Sequence, residues 1–140
     1  LEVVHKRLMT LLHETKFRPP RIRDIMSSPV QTVEHDTTLE QAGQLLAFWN
    51  VSGVPVMRDG HMRGILSRRD VERARQNGSL DLPISAYMSH EVVTGQAETT
   101  LDDALDLLTS RDIGRLPIIE ENRLIGIVTR SDLISYLYKE

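Results

Sequence analysis

The chain has 140 residues, a formal net charge of −3 and no cysteine. This length suffices for a compact domain with its own hydrophobic core. The lack of cysteine excludes a disulfide framework and thiolate metal sites, and no apolar run approaches the roughly 20 residues that cross a bilayer. We therefore expect a soluble, cytoplasmic protein with no membrane contact.

Residues 1–18 have the pattern of an N-terminal helix and linker. The apolar residues of one helical seam recur every three or four positions: Leu1, Val4, Leu8 and Leu11. Pro19-Pro20 ends this helix, because proline lacks the amide and disfavours helix in the residue before it. Since the chain begins at Leu1, we expect a segment of a longer polypeptide whose first helix continues from an upstream domain or packs on the rest.

A dense basic patch runs from Arg18 to Arg23. Because the overall charge is negative, we expect a solvated linker here, and direct contact with nucleic acid is the less favoured alternative.

The rest of the chain repeats itself at a constant offset of 62 positions. Val54-Pro55-Val56 recurs as Leu116-Pro117-Ile118, and residues 64–70 recur as residues 126–132. No insertion or deletion separates the copies, which indicates a duplication.

We place the two repeats at residues 21–79 and 83–140. Gly78 is suited to end the last helix of the first repeat, and Pro83 prevents that helix from continuing. Each repeat has an apolar face that it cannot bury alone, so the two are expected to pack about a pseudo-two-fold axis.

Each repeat has the predicted order β-α-β-β-α, which gives an α/β (α+β) fold. The predicted segments of the first repeat are a strand at 30–33, a helix from Thr37 or Thr38, strands at 54–57 and 62–67, and a helix from Arg68. The corresponding segments of the second repeat are 92–94, 100–110, 116–119, 124–129 and 130–138. Asp59-Gly60 and Asn122 fit the positive φ angles of tight hairpins. Pro55 and Pro117 predict an edge or a bulge with a free backbone acceptor.

Together these features resemble a tandem pair of CBS (cystathionine-β-synthase) domains, also called a Bateman module, over about residues 21–140. The resemblance rests on the hydrophobic-Pro-hydrophobic strand, the hairpin and the Gly-x-x-Ser/Thr-x-x-Asp motif, in order and twice. It implies binding of an adenosine-containing ligand such as AMP, ADP, ATP or S-adenosylmethionine. It also implies regulation of an attached enzyme or transporter, with no required cofactor and no catalytic residues.

The resemblance assigns Asp70 and Asp132 to the ribose, and a carboxylate can accept two hydrogen bonds from a vicinal diol. Ser67 and Thr129 then hold phosphate or ribose at a helix N-terminus, whose unpaired amides and dipole favour an anion.

Further residues complete this implied site. Mobile positive charge for phosphate is expected from Arg68, Arg69 and Arg130, and a phosphate contact from Arg115. The implied adenine slot is lined by Thr32, Val33, Val54, Leu116 and Thr94. Gly95 replaces an apolar residue and predicts a looser adenine wall in the second repeat.

Several of these residues have a purely structural interpretation as well. Ser/Thr-x-x-Asp/Glu is also the capping-box pattern, which Thr37-x-x-Glu40 and Thr99-x-x-Asp102 share. Val54 and Leu116 are also expected to be core residues.

Other chemistry is not indicated. His5 and His13 share a helix face without partnering carboxylates, so no metal site is expected, and no catalytic triad stands out. Trp49, beside Phe48, is interpreted as a packing residue or interface anchor.

Two functions remain open from the sequence. The first is a regulatory adenosine-nucleotide sensor, and the second is a structural module that forms homodimers through its helices and has vestigial clefts. The residues 67–71, 86–89 and 112–117 are similar to the CBS pair of large bacterial tRNA nucleotidyltransferase or poly(A) polymerase-like proteins that also carry a DHH domain.

Overall fold

The computed structural model describes the backbone of residues 2–14 and 19–138 and the side chains of residues 2–10 and 19–138. The α-helices are α1 Glu2–Glu14, α2 Leu39–Trp49, α3 Arg68–Gln76, α4 Leu101–Ser110 and α5 Arg130–Leu137. The strands are β1 Val33–Glu34, β2 Gly53–Arg58, β3 His61–Ser67, β4 Arg115–Glu120 and β5 Arg123–Thr129. Two short 3-10 helices cover Ile22–Asp24 and Ile84–Ala86. Within the described part of the chain, no helix has the length and apolar content needed to span a bilayer.

The chain divides into two compact units whose boundaries differ from those of the sequence repeats. The repeat-1 unit comprises residues 31–92, and the repeat-2 unit comprises residues 1–30 and 93–140. The mixed α and β content agrees with the predicted fold class.

The difference arises because the opening segment of each sequence repeat packs in the unit of the other repeat. Ser27 pairs with Ile127 of β5 through two backbone hydrogen bonds of 2.9 and 3.1 Å. In the same manner, Ser89 pairs with Ile65 of β3 at 2.9 and 3.0 Å. A constant offset cannot show this exchange, since it relates equivalent positions and not contacts.

The repeat-1 unit contains a three-stranded sheet in the order β1-β2-β3. β1 is parallel to β2, and β2 and β3 form an antiparallel hairpin. Asp59 and Gly60 adopt φ angles of 52° and 79° in its turn, as the sequence predicts. The pairing register shifts between Val56 and Met57, so the predicted bulge lies just after Pro55. The apolar side chains of the sheet, α2 and α3 form one buried core.

The repeat-2 unit has a two-stranded sheet of β4 and β5. The predicted strand at residues 92–94 does not form; in its place Gly95 makes a single bridge to Ile118. Its amide donates to the Pro117 carbonyl at 2.9 Å, so that carbonyl is not the free acceptor expected. Glycine weakens a strand, and the Gln96 amide donates to Thr99 Oγ1 at 3.0 Å, which turns the chain immediately afterwards.

Gly95 does not create a looser wall, because larger side chains of β4 fill the space. A Cβ at this position would lie 2.8 Å from Leu116 Cδ2 and 3.2 Å from Ile118 Cδ1. In the repeat-1 unit the equivalent positions hold three valines: Val33, Val54 and Val56. Relative to these three valines, the second repeat has a smaller residue at Gly95 and larger residues at Leu116 and Ile118. The larger side chains fill the space that the glycine leaves in the core.

Helix α1 packs within the repeat-2 unit. This agrees with the predicted alternative in which the first helix packs on the rest of the chain. Leu8 is fully buried in the core of that unit, and Arg7 Nε donates to the Leu137 carbonyl of α5 at 3.0 Å. Leu1 and the side chain of Leu11 lie outside the described residues, so the seam is described only in part.

The N-caps of α2 and α4 lie one residue later than the sequence pattern suggests. Thr38 and Thr100 accept hydrogen bonds from the amides of Gln41 and Asp103, both at 3.2 Å. The predicted caps at Thr37 and Thr99 are wrong. These two residues belong to the turns that lead into the helices, since their amides donate to the carbonyls of Glu34 and Gln96.

Candidate functional site

The candidate site in each unit lies where the second strand of the hairpin leads into the last helix. Ser67 precedes α3 and Thr129 precedes α5, and the motif aspartate is the third helical residue in each case. The amides of Ser67 and Thr129 donate to Oδ2 of Asp70 and Asp132 at 2.8 and 2.9 Å. Both capping boxes are present, so the structural interpretation of the motif is confirmed.

Capping uses only part of each carboxylate. A carboxylate offers about four lone-pair sites, and the cap engages Oδ2. The cap does not engage the second oxygen, Oδ1, in either unit. Capping and ligand binding are compatible at the same residue.

The helix N-termini are less open to an anion than the sequence suggests. The Arg68 amide donates to the Ser52 carbonyl at 2.9 Å, and the Arg130 amide donates to the Gly114 carbonyl at 3.0 Å. The first helical amide in each unit is thus already paired, and fewer donors remain for a phosphate.

The guanidinium groups of Arg68 and Arg130 are held by backbone carbonyls near the ends of the preceding helices. The acceptors are Val51 and Leu46 for Arg68, at 2.8 and 3.3 Å, and Ile113 and Leu108 for Arg130, at 2.8 and 3.3 Å. The expectation of mobile charge at these two residues is wrong. Their hydrogen bonds instead satisfy carbonyls at helix ends, where the macrodipole favours a cation.

The structure brings Arg115, Thr129 and Asp132 together. Arg115 begins β4 and is the direct cross-strand partner of Thr129, which caps the helix that carries Asp132. In the repeat-1 unit the partner of Ser67 is Gly53, so this position has no cation. The repeat-2 unit therefore has a basic residue at this strand position, whereas the additional arginines of the repeat-1 unit, Arg69 and Arg73, lie on α3, where the repeat-2 unit has Ser131 and Ser135.

The apolar residues predicted to line an adenine slot are mainly core residues. Val33, Val54 and Leu116 are at most 4% exposed. Thr32, which is half-buried, and Thr94, which is exposed, immediately precede the sheet pairing of their units. Of this set, the two threonines are the more accessible to a ligand.

Arg73, which contacts Asp70, and Tyr87, which contacts Arg73, are not among the predicted site residues. Arg73 lies one helical turn beyond Asp70 and donates to its Oδ1 at 3.2 Å, and its guanidinium carbon lies 5.6 Å from the ring centroid of Tyr87. Hydrogen bonds with Ser79 and Asn77 lower the pKa of the Tyr87 hydroxyl. The i,i+3 spacing of Asp70 and Arg73 was a readable signal for the ion pair.

The expectation that His5 has no carboxylates near it is wrong. His5 Nε2 lies 3.8 Å from Asp102 Oδ1, and ligand atoms of His5, Asp102 and Asp106 lie within 4.8 Å of one another. Sequence periodicity did not reveal this group because α1 and α4 are far apart in the chain. The side chain of His13 lies outside the described residues.

Part of the basic patch forms ion pairs within the repeat-2 unit. Arg23 contacts Glu98 at 3.1 Å and Glu120 at 3.2 Å, and these two hydrogen-bonded carboxylates raise the pKa of Arg23. The described end of the patch is therefore docked on the unit and is not a simple solvated linker, while Arg18 lies outside the described residues.

The two aromatic residues at the end of α2, Phe48 and Trp49, differ in burial. Trp49 is half-buried and packs against the core of the repeat-1 unit. Phe48 is 84% exposed, which makes it the better candidate for an interface residue.

The model of the CBS domain family matches residues 22–77 and 84–139. The chain belongs to the CBS domain family. As a pair of CBS domains it is a regulatory type of module and not a catalytic one.

Two curated proteins are each 36% identical to this chain over the matched residues. One is the A-adding tRNA nucleotidyltransferase of Geobacter sulfurreducens, which matches over 132 residues, 94% of this chain and 15% of that protein. The other is the CBS domain-containing protein YhcV of Bacillus subtilis, with 114 residues, 80% of this chain and 81% of that protein. The chain thus spans a small part of the nucleotidyltransferase.

Among solved structures, the chain is similar to the CBS domain pair of protein MJ0100, which was crystallised in complex with 5′-methylthioadenosine and S-adenosyl-L-methionine. The TM-score is 0.76 at 25% identity, with 85% of this chain and 99% of that chain covered.

Proposed function

We propose that this chain is a cytoplasmic regulatory module that binds an adenosine-containing ligand, and that the main site is in the repeat-2 unit. The observation that carries this proposal is the convergence of Arg115, Thr129 and Asp132 at the start of α5. The carboxylate of Asp132 accepts the ribose hydroxyls through Oδ1, while its Oδ2 keeps the helix cap.

The neighbouring groups account for the rest of the ligand. Arg115 attracts a phosphate or carboxylate tail, because this basic residue lies directly opposite Thr129 on the neighbouring strand. Thr129 and Thr94 offer hydroxyl groups, and Leu116 contributes to the apolar floor from the core beneath. Arg130 contributes by holding the start of α5 in place rather than by direct contact.

The equivalent residues of the repeat-1 unit form a second candidate site: Asp70, Ser67, Arg68, Thr32, Val33 and Val54. It has the same capping geometry but lacks a basic residue at the position of Arg115. The CBS pair of protein MJ0100, with its two adenosine-containing ligands, supports this class of ligand.

Ligand binding regulates an attached enzyme through different affinities for two conformations. We further propose that the attached enzyme resembles a tRNA nucleotidyltransferase, because the match to that relative covers 94% of this chain. Immunoblotting of native cells with an antibody against the module tests the attachment. A band far above 15.9 kDa is expected, and a band at that mass would contradict it.

Isothermal titration with AMP, ADP, ATP, S-adenosylmethionine and 5′-methylthioadenosine tests the binding function. We expect saturable heat with at least one of these compounds below millimolar concentration. No heat and no thermal shift with any of them at millimolar concentration would overturn the proposal.

The exposed Phe48 favours a second candidate, a module whose main role is homodimerisation. Under this alternative the ligand-free chain is a dimer, Phe48→Glu makes it a monomer, and no adenosine compound binds. Light scattering of the chain and of this variant, next to the titrations, distinguishes the two functions.

A further inference from the structure

The aspartates of the two units differ in what surrounds them. The Asp70 side chain is 10% exposed and its Oδ1 accepts a hydrogen bond from Arg73 at 3.2 Å. Asp132 is half-buried, and no described residue donates to its Oδ1. The position equivalent to Arg73 is occupied by the exposed Ser135, which carries no charge.

Arg73 is held from two further directions. Its guanidinium donates to the Tyr87 carbonyl at 3.3 Å and lies 5.6 Å from the Tyr87 ring centroid. Asn77 in turn donates to the Tyr87 hydroxyl at 3.0 Å. An isolated i,i+3 ion pair contributes little, but a cation fixed by a carbonyl and an aromatic face is less free to leave.

The equivalent of Tyr87 in the repeat-2 unit is Ile25, at the same offset of 62 positions. Isoleucine has no aromatic face, so even a cation on α5 lacks the second anchor that Arg73 has. The repeat-1 unit thus has both the cation, Arg73, and the aromatic ring that contacts it, Tyr87. The equivalent positions of the repeat-2 unit have neither a cation nor an aromatic ring.

We propose that Arg73 is a specificity-determining residue that closes Asp70 to a ribose and so confines adenosine binding to Asp132. This inference rests on the proposed function. A ribose diol that donates both of its hydroxyls to Oδ1 of Asp70 must replace the guanidinium there, and a neutral hydroxyl forms a weaker hydrogen bond with a carboxylate than a cation does. At Asp132 no such exchange is needed.

Calorimetric titration of the whole chain with AMP, and separately with S-adenosylmethionine, tests this inference through stoichiometry. We expect one ligand per chain in the wild type, unchanged by Asp70→Ala and bound about 100-fold more weakly in Asp132→Ala. Arg73→Ser adds a second site, and it restores binding in the Asp132→Ala background. Arg75→Ser is the matched control, because Arg75 forms an i,i+3 pair with Glu72 on the same helix and should leave the stoichiometry at one.

The reverse substitution, Ser135→Arg, places a cation one turn beyond Asp132. It is expected to weaken binding about threefold, since the pair lacks the aromatic anchor. If the wild type binds one ligand and Arg73→Ser adds no site in either background, the role of Arg73 is refuted while the binding function stands. If no variant gives heat with either compound, and none does with ADP, ATP or 5′-methylthioadenosine, the binding function and this inference are refuted together.

Discussion

Replacing Asp132 with Ala is expected to weaken binding of the adenosine ligand about 100-fold, equivalent to about 2.7 kcal/mol. The variant loses two hydrogen bonds to a charged acceptor, and the expected loss corresponds to the lower end of the range of about 1.5–3 kcal/mol that each such bond contributes. It also loses the contact from Oδ2 to the Thr129 amide. We therefore expect a decrease of about 1 kcal/mol in the free energy of unfolding, measured by urea denaturation beside the titration.

The matched control for this variant is Asp103→Ala. Asp103 is the third residue of α4, lies in the same unit and is exposed, so it has the same helical position without the proposed ligand contact. Its substitution is expected to leave the ligand affinity unchanged within about twofold. A 100-fold loss in both variants would show a general effect of helix N-terminal charge and not a ribose contact at Asp132.

Gly95→Val is expected to destabilise the chain by about 3 kcal/mol, the largest effect that we expect on stability. The new Cβ would lie 2.8 Å from Leu116 Cδ2, inside a core that is already filled. Leu116→Val alone removes one methylene and should cost about 1 kcal/mol. The double variant recreates the Val33 and Val54 pair of the repeat-1 unit and is expected to recover most of the loss.

Urea denaturation of the two single variants and the double variant measures this coupling as a double-mutant cycle. We expect an interaction energy of about 2 kcal/mol or more between positions 95 and 116. Gly114→Val serves as the control, because nothing lies within 4 Å of a Cβ at Gly114. Additive effects of the two substitutions would contradict the idea that Leu116 fills the space left by Gly95.

Much of the fold could be predicted from local patterns. The hairpin turns require positive φ at Gly60 and Asn122, and the structure has 79° and 64° there. The motif aspartates follow a strand and open a helix, so their position was also readable. These features depend on neighbouring residues in the chain, which is the information that a single sequence contains.

The misjudged features depend on contacts between distant parts of the chain. The carboxylates beside His5 and the neighbours of Gly95 both require knowledge of the packing. The pairing of Ser27 with β5 and of Ser89 with β3 also depends on packing, but no prediction from the sequence concerned it. The two arginines that open α3 and α5 illustrate the limit. Their charge at a helix start suggests anion binding, yet the carbonyls that hold them come from residues about 20 positions earlier.

The most direct test of ribose recognition by Asp132 compares AMP with 2′,3′-dideoxy-AMP in titrations of the wild type and of Asp132→Ala. In the wild type, loss of the hydroxyls should weaken binding at least about tenfold, because the carboxylate then faces no donor. In Asp132→Ala the two compounds should bind equally. Equal affinities of the two compounds for the wild type would contradict the account.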